Sequence, residues 1–447
     1  MSGQGVPVVA GMLSMPRLSA RRPAPPLTPP VAVARPRPAL DGALGALDRH
    51  GVRWALLRGD PRAAGAGGDL DVLVERSAVR RLEALLLPAG FAEVARPGHG
   101  SHRFFVGYDE ETGRWLELDV VSELSFGRRQ ELTTGAAQAC LAARVRQQSL
   151  WRLAPDDQLW ALLLHYLLDK GQIPTDRRKA VLEAMKAAGG DGALLDAVRR
   201  CLPSTMAPED LLDAVRRGGW DELADLGARL RRAWVRRQPL RVRGRVYGER
   251  VRGRLGPAPW RARRGLTVAL LGPDGAGKTT LARALRREFA LPTRVVYMGV
   301  LRTTERARRL RRVPGVMLLL RLAEFSAKGA AGPYQRRRGR LVVFDRYTYD
   351  ALLAPGGEKL RARVSYALIR RTCPAPDLVI VLDVPAATMY ARKGELGVAR
   401  LEDFRRRYLA MRQRIPNMVV VDASRPAAEV HRIVTARLWR RYAGADR

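Results

Sequence analysis

Cysteine is scarce in this chain: three among 447 residues, at Cys140, Cys201 and Cys373. Their number is odd, they lie far apart, and no pair has metal-ligand spacing. A disulfide framework and a cysteine-rich metal module are therefore excluded, and the three read as reduced, mostly buried thiols. Long apolar runs are also missing, so no stretch is suited to spanning a membrane. The first fifteen residues have no basic leading segment, and Gly and Pro break their apolar part, so no signal peptide is expected and the location is expected to be cytoplasmic. There is no internal repeat. Acidic residues are the minority, 44 against 80 Lys plus Arg, for a formal net charge of +36. Such a field attracts polyphosphates, nucleic acid or anionic lipid. Most of the arginine is scattered beside Glu and Asp, however, as a bias in composition would also produce.

Four parts follow from the composition along the chain. Residues 1–38 are rich in Pro and Ala without apolar periodicity and read as a disordered arm. Residues 39–235 hold a mixed α/β segment followed by helices. Residues 236–264 are Arg-rich, with Gly and Pro as breakers, and read as a basic linker. Residues 265–447 alternate strands and helices.

What is present in that last part is a complete phosphate-binding loop, Gly272-Pro-Asp274-Gly275-Ala-Gly277-Lys278-Thr279-Thr280, between the apolar run 266–271 and the helical stretch 281–289. The glycines let successive backbone N–H groups turn inward around a polyphosphate, and the helix N-terminus adds its positive end. Lys278 can then reach the β- and γ-oxygens, and the Thr279 hydroxyl can hold Mg²⁺. Further β-branched runs at 294–298, 341–344, 378–382 and 418–421 are continuous rather than alternating, the pattern of strands buried on both faces of a parallel sheet. Three end in an acid, Asp345, Asp383 and Asp422. Ligands bind beyond the carboxyl ends of such strands, so these acids are expected to face the site.

Asp274 in the loop, Phe344-Asp345-Arg346-Tyr347, Pro376 to Pro385, Arg392-Lys393-Gly394-Glu395, Arg400-Leu-Glu402 with Phe404 and Tyr408, and Val421-Asp422-Ala-Ser424 stand in the order seen in thymidylate kinases. Residues 265–447 resemble that family of P-loop kinases. The resemblance implies a five-stranded parallel sheet with a mobile lid, transferring the γ-phosphoryl group of MgATP to an acceptor held by the Asp-Arg-Tyr motif. It also implies that the lid supplies the catalytic arginine, since Gly275 stands where some members carry arginine in the loop.

Phosphoryl transfer asks for positioning and charge neutralisation. Gly272, Asp274, Gly275, Gly277, Lys278, Thr279 and Thr280 are the expected donor-binding residues, joined by Arg400 from the lid. Thr279 and Asp345 are expected to organise Mg²⁺. Lys278, Asp345, Arg346 and Arg392 are the expected catalytic set, with Arg346 offering a planar fork to an anionic acceptor. Two plainer alternatives stay open: Arg346 as a structural partner of a carboxylate, and the lid residues as a solvated helix face. After the Asp-Arg-Tyr motif the family usually shows a small hydroxyl residue and then residues that read the thymine ring, whereas this chain continues Thr348-Tyr349-Asp350 without recognisable base-reading residues. The resemblance implies dTMP as acceptor; another nucleotide, a nucleoside or another phosphorylated small molecule stays open.

A second constellation lies upstream. Asp69 and Asp71 stand at i and i+2, one face of a strand, and Leu116-Glu-Leu-Asp119 repeats the pattern. Two acids on one strand and a third on its neighbour would make a two-metal cradle for Mg²⁺, as used in nucleotidyl transfer. Residues 54–119, with the helices around Gln158 to His165 and Asp169-Lys170-Gly171, resemble a nucleotidyltransferase domain with a helical companion. His102 could line its pocket, whereas His165 reads as a packed core residue. The overall expectation is thus an α/β protein, a P-loop kinase preceded by a mixed α/β nucleotidyltransferase-like domain with a helical extension. Its partners would be ATP, Mg²⁺ and a small phosphorylated acceptor, and a homodimer is allowed. Two rivals remain: a bifunctional or degenerate nucleotidyltransferase whose P-loop part senses nucleotide, and a nucleic-acid-binding adaptor working through 236–264. Nucleic acid is not the favoured partner.

Overall fold

The computed structural model describes residues 38–59, 69–96, 102–255, 264–298, 316–353, 364, 367–368, 371–394 and 396–444. The expected arm at 1–38 falls almost wholly outside the described residues, as do 256–263 of the expected linker. Residues 37–447 form one compact unit.

In its first half, α1 (Pro38–Arg49) leads into β1 (Trp54–Arg58) and β2 (Leu70–Val74). α2 (Leu82–Leu86), β3 (Ala92–Val94), β4 (Arg103–Asp109) and β5 (Arg114–Val121) follow, then the small pair β6 (Ser125–Phe126) and β7 (Leu132–Thr133). After α3 (Ala137–Ala142), β8 (Val145–Gln147) and β9 (Leu150–Arg152) complete a mixed seven-stranded sheet in the order β3-β4-β5-β2-β1-β9-β8. β2 and β5 run parallel, which sets Asp71 directly beside Asp119.

A helical companion then forms from α4 (Pro155–Leu164), α5 (Thr175–Ala187), α6 (Ala193–Cys201), α7 (Pro208–Arg217), α8 (Trp220–Arg237) and α9 (Pro239–Leu255). Its core holds the fully buried Trp160 and Trp234. α9 corrects the expectation of a breaker-ridden linker. Pro239 occupies the first helical position, where no amide donor is needed, and glycines at 244 and 248 each cost a helix only about 1 kcal/mol. Val242 is buried, and Arg245 donates to Glu123 at 2.7 Å, so the helix is docked on the domain before it. His165 is corrected too. It is half-buried, with Nδ1 2.7 Å from Oδ2 of Asp169, whose other oxygen accepts the Gly127 amide at 2.6 Å.

The second half is a wholly parallel five-stranded sheet in the order β11-β12-β10-β13-β14, from β10 (Leu266–Leu271), β11 (Thr293–Tyr297), β12 (Leu341–Asp345), β13 (Leu378–Asp383) and β14 (Met418–Asp422). α10 (Lys278–Glu288), α11 (Val316–Arg337), α12 (Ala386–Lys393), α13 (Val398–Ala410) and α14 (Ala427–Ala443) flank it. The unbroken apolar runs have the cause inferred from the sequence. Val268, Leu270, Val343 and Ile380 enter one core and Ala269, Leu271, Phe344 and Val381 the other, so the three central strands β12, β10 and β13 are buried on both faces, while the edge strand β11 is half-exposed.

The two halves are not beads on a linker. Ala92, Val94, Val106 and Tyr108 of the first sheet share one buried cluster with Val434, Leu438 and Trp439 of α14. Arg440 on the same helix donates from Nε to Glu110 at 2.6 Å at the edge of that contact.

Candidate active site

The loop between β10 and α10 makes its turn through three glycines with positive φ: Gly272 at 141°, Gly275 at 89° and Gly277 at 93°. Such angles strain any residue with a Cβ. Space is short as well as angle, since a Cβ at Gly275 would stand 2.8 Å from the carbonyl oxygen of Met389 on α12. The loop and α12 are therefore in contact.

Lys278 is buried at 6% exposure, with Nζ 2.7 Å and 2.8 Å from the carbonyl oxygens of Gly272 and Pro273. Burial, with the nearby Arg346 charge, pulls its ammonium down to about 8, against the opposing pull of Asp274, Asp350 and Asp345. Next to it, Thr279 Oγ1 donates to Oδ2 of the buried Asp345 at 2.7 Å, joining the start of α10 to the end of β12. A hydroxyl and a carboxylate meeting beside a phosphate loop fit Mg²⁺, a hard cation that takes one or two protein oxygens and completes its shell with phosphate and water. When bound, that ion would neutralise charge on the donor phosphates.

Arg346 follows Asp345 with φ at 69°, the left-handed region, fixed by its N–H to the carbonyl of Leu270 at 3.1 Å. A non-glycine residue there costs about 1–3 kcal/mol and is held only where its surroundings over-determine it. The turn sends the guanidinium to Asp274 of the loop, to which Nη2 donates, while Nη1 lies 3.8 Å from Asp350. The sequence did not single out Asp350 as a site residue, yet it is central. Tyr408 on α13, itself buried, donates its hydroxyl to Asp350 at 3.0 Å. Burial pushes that carboxyl up to about 6, although Arg346 and the Tyr408 bond both favour the charged form.

Asp274, Gly275, Gly277, Lys278, Thr279, Thr280, Asp345, Arg346 and Arg392 line one cavity of about 670 Å³. Gly272 holds the back of the loop through its carbonyl. Arg392, exposed at the end of α12, donates to the Gly275 carbonyl at 3.5 Å. Arg400 does not join it: its side chain is exposed with the guanidinium 5.8 Å from the Phe404 ring centre. The far end of the cavity is closed by Arg425, Val430 and His431 around the start of α14, which no spacing in the sequence had marked. Asp383 and Asp422 are corrected as site-facing acids. Asp383 accepts Arg405 Nε at 2.6 Å, and the exposed Asp422 accepts the Ser424 amide at 3.0 Å.

The expected metal cradle in the first half is not formed. β2 begins at Leu70, so Asp69 precedes the strand, exposed, and the i, i+2 alternation that would align it with Asp71 does not apply. Asp71 pairs with Arg58 at 2.6 Å, and Asp119 with His102 Nδ1 at 2.7 Å, so an arginine and a histidine side chain occupy the carboxylates. Among the described residues no group of three His, Cys, Asp or Glu is placed to hold a metal. His102 does line the small pocket there, with Arg58 and Asp71.

A Gly-rich loop from a central parallel strand into a helix, with lysine, hydroxyl, acid and arginine gathered at one mouth, defines a P-loop phosphotransferase. No family model matches the chain. Among known proteins it is similar to the thymidylate kinase of Xanthomonas campestris pv. campestris, 32% identical over 196 residues that make up 39% of this chain and 85% of that one. The probable thymidylate kinase of Archaeoglobus fulgidus is 29% identical over 180 residues, 37% of this chain and 90% of that one. A solved thymidylate kinase from Candida albicans is 20% identical with a TM-score of 0.30, covering 39% of this chain and 90% of that one. Over that segment the chain belongs to the thymidylate kinase family, and it is a phosphotransferase of the nucleoside monophosphate kinase kind. No helix among the described residues is long and apolar enough to cross a membrane.

Proposed function

We propose that this protein transfers the γ-phosphoryl group of ATP, with Mg²⁺, to a nucleotide-like acceptor, dTMP or a related phosphorylated small molecule. The observation that carries this reading is the meeting of Lys278, the Thr279–Asp345 pair and Arg346 in one cavity. In that reading Lys278 and the loop amides orient the donor phosphates, Thr279 and Asp345 hold the ion, Arg346 faces the acceptor, and Arg392 covers the transferring group. Preorganised charge of this kind lowers the barrier because it is already aimed where charge shifts during transfer. The relatives named above are thymidylate kinases, which supports dTMP as the first acceptor to try.

The rival in which the first half performs nucleotidyl transfer has less support, since Asp71 and Asp119 are already paired with Arg58 and His102. We infer that the first half is a nucleotidyltransferase-like scaffold docked onto the kinase. Incubating the full chain with Mg²⁺ and γ-labelled ATP against nucleoside monophosphates, nucleosides and phosphosugars tests the proposal. Label on an acceptor supports it, and label released only as phosphate, or not at all, refutes it.

A further inference from the structure

The donor cavity changes character along its length. Lys278, Thr279 and Arg346 hold one end, whereas Leu281, Ala284, Ala427 and Val430 line the other with apolar groups, joined by the His431 ring. Burial holds the His431 imidazole below its ordinary range, against the opposing pull of Glu288, so the ring there is uncharged. A polyphosphate suits the first end, and the flat, uncharged part of a nucleotide suits the second.

That second wall has space behind it. Ala284 of α10 and Ala427 and His431 of α14 also line a second cavity of about 650 Å³, whose other side is built by Tyr108, Thr112 and Gly113 of the first half. The position of the wall therefore depends on what holds α10 and α14.

The hairpin between β4 and β5 supplies that hold. Arg432, next to His431, donates from Nη1 to the Glu111 carbonyl at 3.0 Å, and a Cβ at Gly113 would stand 3.3 Å from its Cδ. The buried Thr435, one turn after His431, has its hydroxyl 3.5 Å from His431 Nε2 and shares a hydrogen bond with the Tyr108 side chain of β4. His431 Nδ1 lies 3.5 Å from Glu288 Oε2 at the end of α10, and the Glu288 carbonyl accepts the indole N–H of Trp115 on β5. The first half thus grips both helices that frame the far end of the cavity. None of these contacts involves Lys278, Thr279, Asp345 or Arg346.

We propose that the first half is a working part of the donor site: its β4–β5 hairpin holds His431 and the start of α14 as the wall on which the nucleoside of the donor rests, so that ATP binding and the docking of the two halves strengthen each other. The hairpin residues act through α10 and α14 and are positioning residues. The inference rests on the proposed kinase reading, in that the loop must take the donor phosphates, and goes beyond it by giving the first half a role in the reaction.

Such coupling is reciprocal, so it can be read in both directions. Hydrogen exchange on the full chain with Mg²⁺ needs no variant. A non-hydrolysable ATP analogue at saturation is expected to slow exchange of the amides of residues 108–115, whereas tripolyphosphate, which fills the loop and lacks a nucleoside, leaves them near the unliganded rate. Calorimetry reads the other direction. Trp115→Ala removes the grip on the end of α10, and Trp115→Phe loses the bond to Glu288 but keeps a ring. The first is expected to bind the ATP analogue roughly tenfold more weakly, the ordinary scale of coupling between sites, with tripolyphosphate and dTMP little changed and Trp115→Phe falling between it and wild type. ATP analogue bound to wild type without slowed exchange at 108–115 would overturn the inference and leave the kinase reading standing, even if neither variant folds. Unchanged affinity in a folded Trp115→Ala would do the same, as would an equal loss for tripolyphosphate, which places the effect at the phosphate loop. Failure of wild type to bind the analogue would end both readings.

Discussion

The rings of Trp115 and Trp439 meet edge to face, 5.0 Å between centroids and 80° between planes, although one belongs to β5 of the first sheet and the other to α14 of the kinase half. Phe289, at the end of the helix that begins with Lys278, meets the same Trp115 edge to face at 5.3 Å. Trp115 also donates its indole N–H to the Glu288 carbonyl at 2.8 Å, and Trp439 donates to Gly90 at 3.0 Å. The helix that begins with Lys278 therefore rests its far end on the other half of the protein.

Removing that contact should be felt by the whole chain. Trp439 is 3% exposed, and truncating a buried tryptophan typically costs about 3–5 kcal/mol. Trp439→Ala is expected to lower the denaturation midpoint markedly and to separate the unfolding of the two halves, followed by tryptophan fluorescence and circular dichroism in parallel. An unchanged midpoint with coincident probes would show that the shared core contributes little.

Lys278→Ala should abolish phosphoryl transfer without loss of fold. The lysine is buried against two loop carbonyls and its charge is disfavoured there, so deleting it removes no core packing. Label transfer from ATP and a thermal melt on the same preparation check both halves of the statement. Retained turnover in a folded variant would end the kinase reading.

Arg346→Ala is expected to change acceptor KM, kcat or both while ATP affinity stays near wild type. Its contacts are to Asp274 and Asp350, with none to the Thr279–Asp345 pair. An equal loss of ATP affinity would assign the arginine to the donor or to the fold.

The basic segment should bind nucleic acid only weakly at physiological salt. α9 exposes Arg241, Arg243 and Arg250 with Tyr247, but Arg245 is already paired with Glu123. One exposed tyrosine offers little base stacking. A true tract would show affinity falling on the order of a thousandfold between about 50 and 200 mM salt. Anisotropy titrations of wild type and an Arg-to-Ser variant at 241, 243 and 250 decide it. Tract-dependent submicromolar binding near 150 mM salt would make nucleic acid a partner.

The sequence by itself determined the donor end and the sheet that carries it. The phosphate loop works through consecutive residues whose backbone angles and spacing are local properties, so Gly272 to Thr280 could be read directly. The three central parallel strands were legible for a similar reason, since burial on both faces leaves an unbroken apolar run, while the half-exposed edge strand Thr293–Tyr297 fell one residue from its expected place. Where one residue of register mattered, the reading failed. Asp69 and Asp71 needed a strand through 69, and β2 starts at 70.

Tertiary structure decided what surrounds Arg346, which acids face the site, and how the halves join. Asp350 reaches the guanidinium from four residues further along the chain, but Asp274 reaches it because β10 and β12 are neighbours in the sheet, a proximity that no sequence spacing encodes. Asp345, Asp383 and Asp422 look alike at the ends of their strands. Thr279 holds the first beside the glycine-rich loop, while Arg405 and Ser424 engage the other two. Charge and burial at a site are sums over neighbours distant in the chain, and they exist only once the chain has folded.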